Sequence, residues 1–153
     1  MTHQCQSRLQ RAQTDTLVIH CSDHRFQAAM REFLDETLGL GANYDSVVVP
    51  GGPQCLIELQ ALPKFAWASR KWSRALIDLH GLKRLVLIAH QDCGWYKWLA
   101  QWEPAAANVR HKQEADLRAA KQAANRMDPE LSVDLFYAGW NPSDAVVVES
   151  VSP

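Results

Sequence analysis

The chain has 153 residues, of which 16 are Lys or Arg and 17 are Asp or Glu. That length suits one domain, which buries about 70% of its unfolded surface and needs neither disulfide nor metal merely to fold. The balanced charge argues against a broad nucleic-acid footprint, which needs a basic field, and no apolar run reaches the roughly 20 residues of a membrane span. The expectation is therefore a protein that binds neither nucleic acid nor membrane. The start, MTHQCQSRLQ, lacks the apolar stretch of a signal peptide, so a cytoplasmic location is expected. In that reducing compartment Cys5, Cys21, Cys55 and Cys93 read as thiols or ligands, not as bridges.

Residues 1–15 are polar and form a short N-terminal extension; residues 16–150 carry the domain. TLVIH (16–20) reads as a buried strand. Residues 26–39 place Phe26, Met30, Phe33, Leu34 and Leu38 near one helical face, and Gly39 and Gly41 stop it. DSVVVP (45–50) is a second strand, ended by Pro50 and the turn glycines Gly51 and Gly52. In residues 64–81, Phe65, Ala68, Trp72, Leu76 and Leu79 recur at helical steps up to Gly81. RLVLIA (84–89) is the third strand and the strongest core candidate, followed by a short helix in residues 95–102. Residues 104–127 are alanine-rich with Pro104 in the first turn, a helix with a weak apolar face. Strands at 132–138 and 145–150 close the chain. The alternation predicts a single α/β domain, a mostly parallel central sheet flanked by helices.

Ligands in open α/β sheets collect at the carboxyl ends of the strands. Two such ends are rich in chemistry: HCSDHR after the first strand and HQDCG after the third. A lone cysteine or histidine there usually serves packing. Convergent Cys21, His90 and Cys93 beside a carboxylate have no such ordinary reason to cluster. Two thiolates and an imidazole suit zinc and leave one tetrahedral position open, as in a catalytic site. The HxxC spacing lets one turn aim His90 and Cys93 at a single ion. Asp23 has two options: to take the fourth metal position in a closed state, or to pair with Arg25 and leave that position to water. Extended geometry would put residues 21, 23 and 25 on one side. His24 and His20 then point to the opposite face, and Asp92 reads as a turn residue. Gly51, Gly52, Gln54 and Gly94 are candidates for the pocket rim, and Cys55 reads as a small core residue. Only three residues separate Cys21 from Arg25, too few for a phosphatase loop. The absence of CxxC disfavours a redox pair, and PGGP lacks the lysine of a phosphate loop.

The stretches CSDHR and HQDCG together resemble the two signatures of the beta-class carbonic anhydrases. That resemblance implies one Zn(2+) per chain on Cys21, His90 and Cys93, and Asp23 with Arg25 as a carboxylate–guanidinium dyad. It also implies a mostly parallel sheet, a homodimer or higher homo-oligomer, and reversible hydration of carbon dioxide to bicarbonate and a proton. The layout of the likeness covers about residues 16–150, with the close match in the motifs. Family members often carry a helical arm before the first motif and an Arg-Asn-Ala-Gly stretch after the second strand; here about 15 residues precede the motif and the turn reads VPGGPQ. Two other readings accompany this one. One is a zinc hydrolase of another small electrophile, such as a carbon–sulfur compound; the other is a non-catalytic metal-binding or regulatory protein.

Overall fold

Two unbroken apolar runs form the middle of the sheet, because a parallel strand covered on both faces has no polar side to show. They are β1 (Thr16–Cys21) and β3 (Arg84–His90), paired in parallel with Ile19 opposite Leu87 and His20 opposite Ile88. In this computed structural model, which describes residues 1–102 and 109–153, the sheet is completed by β2 (Asp45–Val49), β4 (Ser132–Trp140) and β5 (Val146–Ser150). The strand order is β2-β1-β3-β4-β5. The first four strands run parallel, and β5 returns antiparallel to β4 along the edge. The mostly parallel sheet flanked by helices agrees with the expectation from sequence.

The period-two alternation of the strands divides the core. Leu17, Ile19, Leu85, Leu87 and Ala89 face α2 (Pro63–His80) and α4 (Val109–Met127). Val18, Val86 and Ile88 face Phe26, Met30 and Leu34 on the other side. α2 begins with Pro63 in its first turn and stops at Gly81, whose φ of 65° is the left-handed cap that glycine adopts without strain. α4 packs more deeply than its composition suggests. Ala120, Ala123 and Ala124 are buried because small side chains let the helix backbone approach the sheet closely. The part of the expected helix at 104–108 lies outside the described residues.

The helical segment after β1 is less regular than expected. A 3-10 turn (His24–Phe26) leads into α1 (Gln27–Glu32), and a π-helical turn (Phe33–Thr37) follows. A second 3-10 turn, Gly52–Leu56, follows β2 and is buried throughout. α3 (Gly94–Leu99) is the short helix after β3. Among the described residues no helix is long and apolar enough to cross a membrane.

Candidate metal centre

β1 and β3 are neighbours, so their carboxyl ends deliver Cys21 and His90 side by side. The chain then turns sharply at Asp92, whose φ of 57° lies in the left-handed region, and brings Cys93 back toward His90. One ligand atom from each of Cys21, His90 and Cys93 lies within 4.8 Å of the others, and all three residues are buried. The two sulfurs are 3.7 Å apart.

The imidazole is oriented by its far nitrogen. His90 Nδ1 lies 2.9 Å from the carbonyl oxygen of Gln91. A carbonyl can only accept, so Nδ1 carries the proton and Nε2 presents its lone pair. That Nε2 is buried without a hydrogen-bond partner among the described residues. The ring packs 4.4 Å from Phe26, centroid to centroid, which holds its position. Such fixing of a ligand from behind is the usual companion of metal binding.

The thiols titrate as a pair. One gives up its proton easily, Cys21 falling to about 4, because Cys93 donates to the thiolate and outweighs the cost of burial. The second proton is held up by the adjacent thiolate and by burial. The backbone N–H of Asp23 points at the Cys21 sulfur, and those of Trp95 and Tyr96 point at Cys93. Negative sulfur is therefore favoured at a spot where only a cation would allow both thiols to ionise together. Two thiols and a preoriented imidazole lone pair fit a soft-donor divalent ion such as zinc.

Asp23 and Arg25 meet by a different geometry from the extended one expected. β1 ends at Cys21, and Asp23 caps the 3-10 turn, its carboxylate accepting from the Arg25 backbone N–H at 3.0 Å. The Arg25 guanidinium closes the pair, Nε donating to Oδ1 at 3.0 Å and Nη2 to Oδ2 at 2.7 Å. This fork lowers the Asp23 carboxyl to about 2. Gln27 steadies the loop by donating to the carbonyls of Cys21 and Asp23, each at 2.9 Å. Asp23 thus stands beside the sulfur–imidazole cluster, held by arginine.

Sequence reasoning treated Asp92 as an ordinary turn residue and missed its second task. Its carboxylate accepts from Arg25 Nη1 at 3.0 Å, its backbone oxygen accepts from Nη2 at 3.0 Å, and Lys97 pairs with its other oxygen. Arg25 therefore ties the loop after β1 to the turn after β3. His24 is exposed, while His20 is buried with Nδ1 donating to the Cys21 carbonyl at 2.9 Å.

The rim candidates occupy unequal places. Gly52 has a φ of 53°, and a Cβ there would stand 2.8 Å from the backbone nitrogen of Cys21. A Cβ at Gly51 would run into the Trp95 indole, whereas one at Gly94 would meet nothing within 4 Å. Gln54 is fully buried with both amide ends engaged: Nε2 donates to Asp116 at 2.9 Å, and Oε1 accepts from the Trp95 indole. Asp116 also accepts from the Tyr96 hydroxyl at 2.9 Å and from Lys112 at 2.5 Å. The partners are far apart in sequence, which hid this network. Cys55 is buried and pushed up to about 12 by desolvation, an inert thiol.

No family model matches the sequence. An uncharacterized protein of Rickettsia conorii is 29% identical over 83% of this chain and 68% of its own length. One from Rickettsia bellii is 26% identical, covering 83% and 77%. Among solved structures, a carbonic anhydrase from Glaciozyma antarctica superposes with a TM-score of 0.59 at 12% identity, over 91% of this chain and 82% of that one. The carbonic anhydrase of Streptococcus mutans gives 0.57 at 13% identity, over 92% and 82%. A beta-carbonic anhydrase of Trichomonas vaginalis gives 0.56 at 10%, over 93% and 86%. The fold is beta-carbonic-anhydrase-like.

Proposed function

We propose that this protein is a zinc enzyme that reversibly hydrates carbon dioxide to bicarbonate and a proton. The observation that carries the reading is the cluster of Cys21, His90 and Cys93 at adjoining strand ends, with His90 Nε2 buried and unpartnered. Those three residues would hold the ion. When bound, zinc supplies Lewis acidity, making a water acidic enough to serve as a nucleophile near neutral pH.

The chain's own groups supply orientation. With its carboxyl lowered to about 2, Asp23 is an acceptor throughout the physiological range and carries no proton of its own. Both of its oxygens accept from Arg25, Oδ1 from the backbone N–H and Nε and Oδ2 from Nη2 and, at 3.2 Å, from Nε; a reacting water would take the place of that longest, shared contact on Oδ2. Arg25 would keep that carboxylate from swinging onto an ion bound by the three ligand residues. Tyr96 and Trp95 wall the thiols with apolar surface, which limits water around them. Assembly into a homodimer or larger homo-oligomer belongs to the same reading. The carbonic anhydrases that share this fold support it, as does the joint presence of both motifs.

The test is metal analysis combined with stopped-flow hydration at mildly alkaline pH. The expected result is stoichiometric zinc and a rate above buffer, both lost in Cys93→Ser. Bound zinc with no rate above buffer would overturn the reaction. Turnover of carbonyl sulfide or carbon disulfide in its place would establish the hydrolase.

A further inference from the structure

Gln113 is 1% exposed, yet among the described residues neither its amide nitrogen nor its amide oxygen has a hydrogen-bond partner. An unpaired buried amide is costly, and native structures keep few of them. Its place on α4 narrows what the amide is for. Residues four apart share a helix face, so Val109, Gln113 and Leu117 form one stripe. Val109 packs against Cys21, Cys93 and Tyr96, while Leu117 lies in the core beneath the sheet. On the adjoining row, Asp116 accepts from Tyr96 and Gln54. Arg110 stacks over Tyr137, 4.7 Å from the ring centroid. Tyr137 pairs with Ala89, the residue before His90. The stripe thus enters the sheet at the end where the metal cluster lies.

The polar groups around that end are otherwise spoken for. Gln54 is locked between Asp116 and Trp95, Arg25 serves Asp23 and Asp92, and the turn after β2 offers Pro50 and two glycines with no cation. Among the described residues Gln113 and His90 Nε2 remain without partners, Gln113 one helical turn beyond the Val109 that packs against the cluster.

We propose that Gln113 is a specificity-determining residue of this site, whose amide binds a small oxyanion carrying a hydroxyl, of which bicarbonate is the type. The inference rests on the carbon dioxide reading and extends it. An amide offers one acceptor and two donors. Bicarbonate offers the complement: oxygens that accept from Nε2 and an O–H that donates to Oε1. Nitrate, of similar size and charge, has no hydrogen to give and uses only half of the amide. A neutral amide also adds no charge that would hold the anion too long.

The experiment uses the full chain loaded with cobalt in place of zinc, whose visible spectrum reports anions reaching the metal. Bicarbonate and nitrate are titrated into the wild type, Gln113→Leu and Gln113→Met, and thermal unfolding is followed in parallel. The wild type is expected to prefer bicarbonate over nitrate by a margin about tenfold greater than either variant shows, a difference worth one hydrogen bond. Both variants are expected to bind metal fully, to unfold no earlier than the wild type, and to lose about tenfold of the wild type's preference for bicarbonate. Removing an orphan amide without loss of stability, while losing anion discrimination, is a pair of effects that a structural role does not produce. Unchanged discrimination in either folded variant would overturn the proposal. So would a lowered unfolding temperature with discrimination intact, which would assign the amide to an internal water. Wild-type protein that discriminates through Gln113 but hydrates no carbon dioxide would leave this inference standing and remove the reaction. Active protein whose discrimination ignores Gln113 would do the reverse.

Discussion

Replacing Gly52 with alanine tests how the metal corner is built. Gly52 combines a φ of 53° with close approach to β1: a Cβ would stand 2.8 Å from Cys21 N and 2.9 Å from the His20 carbonyl carbon. Both are backbone atoms of a central strand and cannot swing aside. The left-handed conformation alone costs an alanine about 1–2 kcal/mol. Forcing a methyl into packed backbone adds about 1–3 kcal/mol, so Gly52→Ala should destabilise by about 2–5 kcal/mol. At about 2–4 °C per kcal/mol for a chain of this size, the unfolding midpoint should drop by about 4–20 °C. Gly41→Ala is the control: its φ is 54°, and nothing lies within 4 Å of a Cβ there. That variant should pay only the conformational part. Thermal melts of both, with metal content measured on each, separate the two contributions. Zinc affinity should fall in Gly52→Ala alone, because the displaced atom is the amide of a ligand residue. Equal melting points and equal zinc in the two variants would refute the close-approach argument.

Arg25→Ala should keep zinc, since no ligand depends on the guanidinium, but should lose about 10–100-fold in turnover because it supports a group beside the metal. Arg25→Lys should rescue poorly, as an ammonium cannot reproduce the two-donor fork; retained wild-type turnover in Arg25→Ala would rule out the dyad. A carbon-13 titration of the Asp23 carboxyl should show it ionised down to about pH 2, and in Arg25→Ala its pKa should return toward the ordinary value of about 3.9. A carboxyl depressed in the folded state stabilises the fold above its unfolded pKa, and that contribution is lost as pH falls through the folded value. Any acid destabilisation from this pair should therefore be confined to the interval from about 4 down to about 2. It should be small, since the guanidinium half of the pair is exposed and screened by solvent.

What could be read from the sequence was whatever depends on local order. The unbroken runs of β1 and β3 announce buried parallel strands, and each ends in the residues that form the cluster. The rest depends on contacts between distant segments. Nothing near Asp92 hints that Arg25 reaches it across the sheet, and nothing near Gln54 announces Asp116, 62 residues away. The relation of Asp23 to Arg25 shows a subtler failure. Alternation suggested an extended strand, but Asp23 is a strong capping residue, and its carboxylate satisfies the Arg25 amide by starting a 3-10 turn. The pair survives the change because a turn brings residues two apart together as well as a strand does. α4 looked weakly apolar because alanine adds little hydrophobicity, whereas in the fold its smallness is what permits close packing.

The charges around the cluster bear on which substrate it suits. Cys21 and Cys93 as thiolates would offset the two positive charges of a zinc ion. Around them Asp23 and Asp92 are matched by Arg25 and Lys97, and Asp116 is matched by Lys112. The turn after β2 adds no cation, so no surplus positive field draws anions toward the ion from a distance. A site balanced in this way suits a substrate that arrives uncharged. It also suits a product anion that leaves readily, held by hydrogen bonds and not by a cation. The carbon dioxide and bicarbonate of the proposed reaction have those two properties, and a phosphate or carboxylate substrate would not.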